Sequence, residues 1–212
     1  MSTKALAKGE TLPLCQDSGE RLHKICIGLN WGGIPRKNYI GIGPRYKAVD
    51  LDSSAALFNE QQELLELVFY NNKRSADEAL VHGGDDLVGD RSQDDKLDNE
   101  VLLINLDKVR PEVTQIFIML NSYTRQNFGE IPYVKVRIYE GTPVQVDETI
   151  AYFNLAKDSS YATRVAVVMA KLYRESAEAD WKFETIGDSV AANDILEAVN
   201  VIRKRFLKTK AR

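Results

Sequence analysis

The stretch "RLHKICIGLNW", residues 21–31, alternates between the two sides of an extended chain. Every second residue from His23 to Leu29 falls on one side, where isoleucine dominates, and the intervening residues fall on the other. A repeat of two is the period of a β-strand. Trp31-Gly32-Gly33 then ends the run. The sequence therefore predicts a strand here and a turn directly after it.

Further runs of the same kind fill most of the chain. They are rich in β-branched and aromatic residues and are separated by Gly, Asn, Asp and Pro, at 63–72, 100–106, 114–120, 133–141, 148–155, 163–175 and 181–187. The run at 163–175 has a composition that a helix would also accept, but its alternation at period two favours a strand. Strands at such short spacing predict a mainly all-β fold, a two-sheet antiparallel β-sandwich.

The end of the chain has a different period. Residues 193–208 place apolar side chains on one helical face: Ile195, Leu196, Val199, Ile202 and Phe206. Asn193 is the expected N-cap. We therefore expect a sandwich domain over residues 1–188 and a C-terminal amphipathic helix within residues 189–212. Its basic end, which includes Lys208, Lys210 and Arg212, is interpreted as solvated, with contact to anionic lipid as the alternative.

Composition excludes several classes of protein. The 212 residues are 44% hydrophobic and carry a net charge of −3, which is too acidic for a general nucleic-acid binder. No apolar run is long enough for a transmembrane helix, and "MSTKALAKGE" lacks the apolar core of a signal peptide. Cys15 and Cys26 are then expected to be reduced, in the cytoplasm. With two cysteines and two histidines, a zinc site is not expected.

The most unusual segment is "HGGDDLVGDRSQDDKLDNE", residues 82–100. It holds seven acidic side chains in nineteen positions, balanced only by Arg91 and Lys96. Gly84 and Gly89 have the spacing of a P-loop, but Asp90-Arg91 follow where Lys and Ser or Thr are required. The calcium-loop pattern of an EF-hand is also absent. Either the loop is simply solvated, or it binds a hard divalent cation through oxygen ligands, and the loop alone does not decide.

Two other segments favour the cation. Asp50 and Asp52 in "VDLDSSAALF" fall on the same side of an extended chain, about 7 Å apart, and buried strands seldom carry such a pair uncompensated. Asn71 and Asn72 end a strand and can add ligand oxygens without adding charge. His82 borders the loop and is expected to be a surface histidine rather than a ligand, because hard cations prefer oxygen.

Taken in order, several of these segments resemble one family. "KICIGLNWGG", "VDLDSSAALFN", "FYNN", "HGGDDLVGD…DNEVLLINLDKV", "QNFGEIPYVKVRIYEG" and "VVMAKLYRE…WKFETIGD" are similar to the TerD family of tellurium-resistance and stress proteins, over roughly residues 3 to 188. The resemblance implies a two-sheet sandwich that binds Ca²⁺. It also implies a cytoplasmic protein, or one peripheral to the inner face of the membrane, with stress-response or membrane-associated partners.

Carried over position by position, the resemblance also implies a set of calcium ligands. They are Asp50, Asp52, Asn71, Asn72, Asp85, Asp86, Asp98, Asn99 and Glu100. Asp86 stands where the family usually has Asn, Asn99 replaces an acidic residue, and residues 90–97 form an unusual insert.

The function expected from these observations is a non-catalytic calcium-binding protein, a scaffold or sensor linked to tellurite resistance and general stress. One alternative is an enzyme that uses carboxylate-held Mg²⁺ for phosphoryl transfer or hydrolysis. The other is a cyclic-nucleotide-binding module.

Overall fold

In a computed structural model, the described residues are 4–5, 8–16, 18–37, 41, 45–91 and 94–207. Their strands and single α-helix are, in chain order, β1 (Lys4–Ala5), β2 (Thr11–Pro13), β3 (Lys24–Trp31), β4 (Ile34–Arg36), β5 (Arg45–Lys47), β6 (Leu51–Phe58), β7 (Leu64–Val68), β8 (Leu80–His82), β9 (Glu100–Asn105), β10 (Gln115–Ser122), β11 (Val134–Thr142), β12 (Gln145–Asn154), β13 (Ala166–Tyr173), β14 (Lys182–Ser189) and α1 (Ile195–Arg205). The basic residues Lys208, Lys210 and Arg212 lie outside the described residues.

Two six-stranded sheets form the predicted sandwich. The first has the order β1-β12-β11-β3-β9-β8, and the second has the order β2-β14-β13-β10-β6-β7. Within these two sheets every strand pair is antiparallel except β1 with β12. β4 and β5 form a separate two-stranded hairpin. The expected fold class is therefore confirmed, including the strand assignment at 163–175.

Both faces of the second sheet are covered by apolar side chains. In β6, Leu51 and Leu57 face the core between the sheets, while Ala56 and Phe58 belong to a second cluster on the outer face. β10 repeats this division. Burial on both faces explains why these strands read as nearly continuous apolar runs.

α1 is the layer that covers the outer face. Its buried Val199 and Ile202 share a cluster with Phe117 and Met119 of β10. Two details differ from the sequence prediction. Asp194, rather than Asn193, is the N-cap and accepts a hydrogen bond from the Glu197 amide. Leu196, predicted on the apolar face, is 64% exposed.

The strands also leave an opening at one end of the sandwich. β7 ends at Val68, paired with Ala55, so the preceding residues of β6 have no β7 partner. The predicted strand at 63–72 is thus shorter than expected, because the chain turns back between Phe69 and Asn72. β8 lies in the polar stretch that the sequence prediction treated as a loop. The acidic loop follows β8 and lies at the open edge of β6.

Candidate metal centre

Three of the predicted ligands come together at the open edge. One carboxylate oxygen from each of Asp50, Asp52 and Asp85 lies within 4.8 Å of the other two. Asp50 and Asp52 are buried and Asp85 is exposed. Among the described residues no lysine or arginine forms an ion pair with any of the three. The cluster is therefore a pocket of negative charge with one side open to solvent.

Burial and the neighbouring carboxylates together raise the pKa values of Asp50 and Asp52. Burial is the main cause that raises the pKa of Asp50 to about 6, and Asp85, Glu100 and Asp86 raise it further. Burial likewise raises the pKa of Asp52 to about 7, with added repulsion from Asp50, Glu100 and Asp85. A hydrogen bond from Asn121 to Asp52, 3.3 Å long, opposes this rise. Without a cation, these carboxylates are held against their own repulsion.

Glu100 forms the inner wall of the centre. Its Oε2 accepts hydrogen bonds from the Ser53 amide at 2.9 Å and the Ser53 hydroxyl at 2.8 Å. The backbone N–H is free to do so because β7 stops before it reaches Ser53. The Oε1 of Glu100 and the Oδ1 of Asp50 are buried, and neither accepts a hydrogen bond from a described residue. Two buried carboxylate oxygens are thus left without a donor, which is costly unless another group binds them.

His82 is buried behind this wall, so its predicted surface position is wrong. It is 3% exposed, because β8 pairs with β9 and carries it into the interior. Its Nε2 lies 3.1 Å from the Ser53 hydroxyl and 3.4 Å from Glu100 Oε2. The Ser53 hydroxyl thus lies between the two side chains, 2.8 Å from Glu100 Oε2 and 3.1 Å from His82 Nε2. Ser53, His82 and Glu100 therefore form a buried hydrogen-bonded group behind the carboxylate cluster.

Asp86 and Asn99 shape the loop. Asp86 Oδ1 accepts from the amides of Val88 and Gly89, which closes a turn. Asn99 donates to both Asp86 and Asp90, at 3.3 and 3.2 Å, while its Oδ1 accepts from the Trp31 amide at 2.8 Å. An aspartate at position 99 would have no donor for these two carboxylates. Asn99 therefore holds the loop in place through its side-chain NH₂ group. The acidic residue that the family usually has at this position would lack that donor.

Gly89 allows the same loop to pass close to the sandwich. Its φ is +67°, and a Cβ there would lie 2.6 Å from the Trp31 ring. Trp31 in turn donates from its indole nitrogen to the Val49 carbonyl at 2.8 Å. The turn at Gly89 and the start of β6 are thus fixed on one tryptophan, which positions Asp85 beside Asp50.

Of the other predicted ligands, Asp98 is not part of the cluster. Asp98 is held over Gly28 by Arg137, whose Nε lies 2.8 and 3.0 Å from its two carboxylate oxygens. The side-chain amide of Asn72 donates to the Leu67 carbonyl at 2.6 Å, within its own turn, and Asn71 is exposed. The described structure thus brings together Asp50, Asp52 and Asp85, with Asp86 and Glu100 beside them and Asn99 hydrogen-bonded to the loop, whereas Asp98 is paired with Arg137.

Ser53, Asn121 and Tyr70 are neighbours that sequence reasoning missed. Asn121 is the cross-strand partner of Asp52. The pKa of Tyr70 is raised by burial first, then by Tyr123 and the three clustered carboxylates. Polar residues at the ends of apolar runs were the only signal for Ser53 and Asn121. Their link to Asp52 and Glu100 depends on strand register, which the sequence does not state.

The fold and the site together describe a class of protein: a two-sheet β-sandwich with a carboxylate cluster at one open end. The TerD domain model matches residues 1–200, and the chain therefore belongs to the TerD family. The match extends beyond residue 188 and into α1, further than the sequence motifs alone indicated.

Several characterised relatives are similar over most of their length. General stress protein 16U of Bacillus subtilis (strain 168) is 31% identical over 192 residues, covering 87% of this chain and 90% of that protein. Stress response protein SCP2 of the same organism is 29% identical over 196 residues, covering 87% and 91%. Tellurium resistance protein TerD of Serratia marcescens is 28% identical over 194 residues, covering 88% and 91%.

The fold is also found in solved structures. A crystal structure of a homologue of the telluride resistance protein TerD from Streptomyces coelicolor A3(2) superposes with a TM-score of 0.64, at 16% identity, covering 84% of this chain and 95% of that one. Among the described residues, no helix has the length and apolar character needed to cross a bilayer.

Proposed function

We propose that the protein is a non-catalytic calcium-binding member of its family that acts in the response to tellurite and other stresses as a scaffold or sensor. One observation carries the proposal. Asp50, Asp52 and Asp85 converge within 4.8 Å, while buried oxygens of Asp50 and Glu100 accept no hydrogen bond from a described residue. A divalent cation would neutralise the repulsion and bind those oxygens at the same time.

The donor set fits calcium better than magnesium. Every candidate donor is an oxygen, and the donors come from a strand and a loop rather than from one rigid element. Calcium accepts six to eight oxygens in flexible geometry. Magnesium requires a near-ideal octahedron and is usually bound through one or two carboxylates with several waters. Asp50, Asp52 and Asp85 would hold the ion, and the Oε1 of Glu100 is the inner candidate ligand.

A sensor role would follow from the position of the loop. Asp85 and Asp86 lie on the loop after β8, and the exposed Leu87 is next to them. Ion binding would fix this loop against β6, and so set the surface that a stress-response or membrane-associated partner meets. The relatives named for stress response and tellurium resistance support that setting.

Tellurium itself would not be the ligand. Cys26 is buried and Cys15 is exposed, and no cluster of cysteine or methionine is evident in the sequence. We therefore propose that any protection against tellurite is indirect. Specific binding of tellurite to purified protein, away from the two thiols, would contradict this point.

The test is a calcium titration of the EDTA-treated full chain by calorimetry, with the melting temperature followed in parallel. Because a ligand that binds only the folded state stabilises it, calcium should raise the midpoint, and Mg²⁺ at the same concentration should raise it less. Failure to bind calcium below about 1 mM, an affinity of roughly −4 kcal/mol, would overturn the proposal. Phosphatase or nucleotidase activity that requires Mg²⁺ would favour the enzymatic alternative instead.

A further inference from the structure

A second site lies next to the carboxylate cluster. A groove of about 610 Å³ opens between the ends of β6, β7 and β10 on one side and the start of α1 on the other. We call it the tyrosine groove and define it by Asp52, Tyr70, Asn121, Tyr123, Ile195 and Leu196. Its volume is in the range of sites that bind small organic molecules. The proposed calcium centre does not use this space, although Asp52 belongs to both.

The floor of the groove presents hydrogen-bond acceptors. Asn121 is 7% exposed, and its Nδ2 donates to Asp52 Oδ2 at 3.3 Å. That bond fixes the orientation of the amide, because a carboxylate requires the NH₂ side. The Oδ1 of Asn121 is therefore left as a buried acceptor that receives no hydrogen bond from a described residue. An occupant that satisfies this floor must bring N–H or O–H donors.

The aromatic walls of the groove and the nearby carboxylates favour a positively charged donor over a neutral or anionic one. Tyr70 and Tyr123 meet edge to face, with ring centroids 6.0 Å apart. Aromatic faces attract cations, and Asp50 and Asp85 place further negative charge within 4.8 Å of Asp52. A phosphate or carboxylate would be repelled by the same groups. Arg125, exposed at the rim, is the positive charge among the residues that line the groove, and Asp194 is a second acidic one.

The rim indicates what the rest of the occupant is like. Tyr123 is 59% exposed and Leu196 is 64% exposed, and both border the groove. Large apolar side chains left in water beside acceptors suit a ligand with an apolar body and a polar end. We propose that the tyrosine groove binds an organic primary ammonium carried on a short apolar or aromatic stem, with its N–H groups on Asn121 and Asp52.

The probe for the test is 2-phenylethylamine, and its matched control is the neutral 2-phenylethanol. Both are titrated into the ¹⁵N-labelled, EDTA-treated full chain. The amine should shift the amide signals of Asn121, Tyr123 and Leu196 and bind about tenfold more tightly than the alcohol, since the charge contributes beyond apolar contact. Equal affinities, or shifts centred on another part of the chain, would overturn the proposal.

Two variants with opposite expected signs separate recognition from a general loss of structure. Tyr123→Ala should weaken amine binding about fivefold, whereas Arg125→Gln should strengthen it about twofold by removing a like charge. Val144→Ala, at an exposed site in the turn between β11 and β12, is the control and should bind as the unchanged protein does. Weaker amine binding by Arg125→Gln, or tighter binding of adenosine monophosphate than of the amine, would contradict an ammonium site.

Calcium supplies a further readout, because Asp52 is shared. Saturating calcium should weaken amine binding severalfold, and the amine should weaken calcium binding by the same factor. The amine titration in EDTA stands without calcium, so its outcome is distinguishable from that of the proposed calcium function. Should calcium bind and leave amine affinity unchanged, the assignment of Asp52 to the floor of the groove would be wrong.

Discussion

At the scale of single residues, Asp52 shows what the clustering of buried carboxylates costs the fold in stability. It is 2% exposed, and this burial, with added repulsion from Asp50, Glu100 and Asp85, raises its pKa to about 7. In Asp52→Asn the side chain keeps its shape and loses its charge. Without calcium we expect the variant to be more stable by about 1–3 kcal/mol, the scale of imperfectly compensated burial. Thermal unfolding in EDTA measures this as a rise of a few degrees.

The same variant should lose the response to calcium. Asp147→Asn, at an exposed position of β12, is the matched control and should change neither quantity. If Asp52→Asn destabilised the protein in EDTA, the repulsion inferred for the cluster would be absent.

Ser53 and Ser54 offer a second comparison between adjacent buried hydroxyls. The Ser53 hydroxyl donates to Glu100 and lies 3.1 Å from His82 Nε2, while the Ser54 hydroxyl has no hydrogen-bond partner among the described residues. Ser53→Ala should therefore lower the free energy of unfolding by about 1–3 kcal/mol and weaken calcium binding, because Glu100 and His82 each lose a partner. Ser54→Ala should leave calcium binding unchanged and should not lower the free energy of unfolding, because the hydroxyl it removes is buried without a partner in the described part of the chain. Urea unfolding measures the change in stability, and calorimetry measures the change in calcium affinity. Equal losses in the two variants would show that the hydrogen bonds of Ser53 do not position Glu100.

Sequence reasoning located part of this centre. It found Asp50 and Asp52 because paired acids in an apolar strand stand out, whereas within the acidic loop only the family resemblance pointed to Asp85. It misassigned His82 because the burial of His82 depends on a three-residue strand. It could not separate Asp98 from Glu100, two positions apart, because only the tertiary structure pairs Asp98 with Arg137. Side-chain partners across the fold are set by register and loop path, which no local pattern encodes.

At the scale of elements, strands were predictable where they are long. β3, β10, β11 and β13 each have eight or nine residues, enough for a period of two to be visible. β2, β4, β5 and β8 have three residues each and went unpredicted. Three residues cannot display a period, so their pairing is decided by the neighbouring strand.

α1 gives an element-scale prediction. Ile202 is fully buried against the outer face of the second sheet, and Leu196 on the same helix is 64% exposed. Ile202→Ala should cost about 2–5 kcal/mol by leaving a cavity, whereas Leu196→Ala should change stability by less than about 0.5 kcal/mol. Chemical denaturation with a single transition would give both values. A small effect at Ile202 would mean that the helix does not stabilise the apolar cluster on the outer face of the second sheet.

At the scale of the whole molecule, the two sheets are held together by an apolar core, but among the described residues one end of the sandwich has an unpaired strand edge. One core fills the space between the sheets, and α1 covers the outer face of the second sheet. β7 stops short, so the edge of β6 meets an acidic loop rather than another strand. The loop carboxylates, which would be fully solvated on an isolated loop, therefore lie beside the buried carboxylates at the edge of the core. Stability of the whole fold is then linked to whatever neutralises that edge.

This linkage predicts opposite pH profiles with and without calcium. Asp50 and Asp52 have ordinary pKa values of 3.8 when unfolded and about 6 and 7 when folded. Between these values the folded state holds protons that the unfolded state has released, so their contribution to stability falls as pH rises from about 4 to about 7 and then levels off. Calcium requires the deprotonated carboxylates, so the stabilisation it adds should grow through the same window. Melting temperatures at about pH 5, 6, 7 and 8, in EDTA or excess calcium, test both slopes.

In Asp52→Asn, the decrease of melting temperature with rising pH in EDTA should be smaller. An identical slope in the variant and the unchanged protein would show that the clustered acids do not titrate as a buried group.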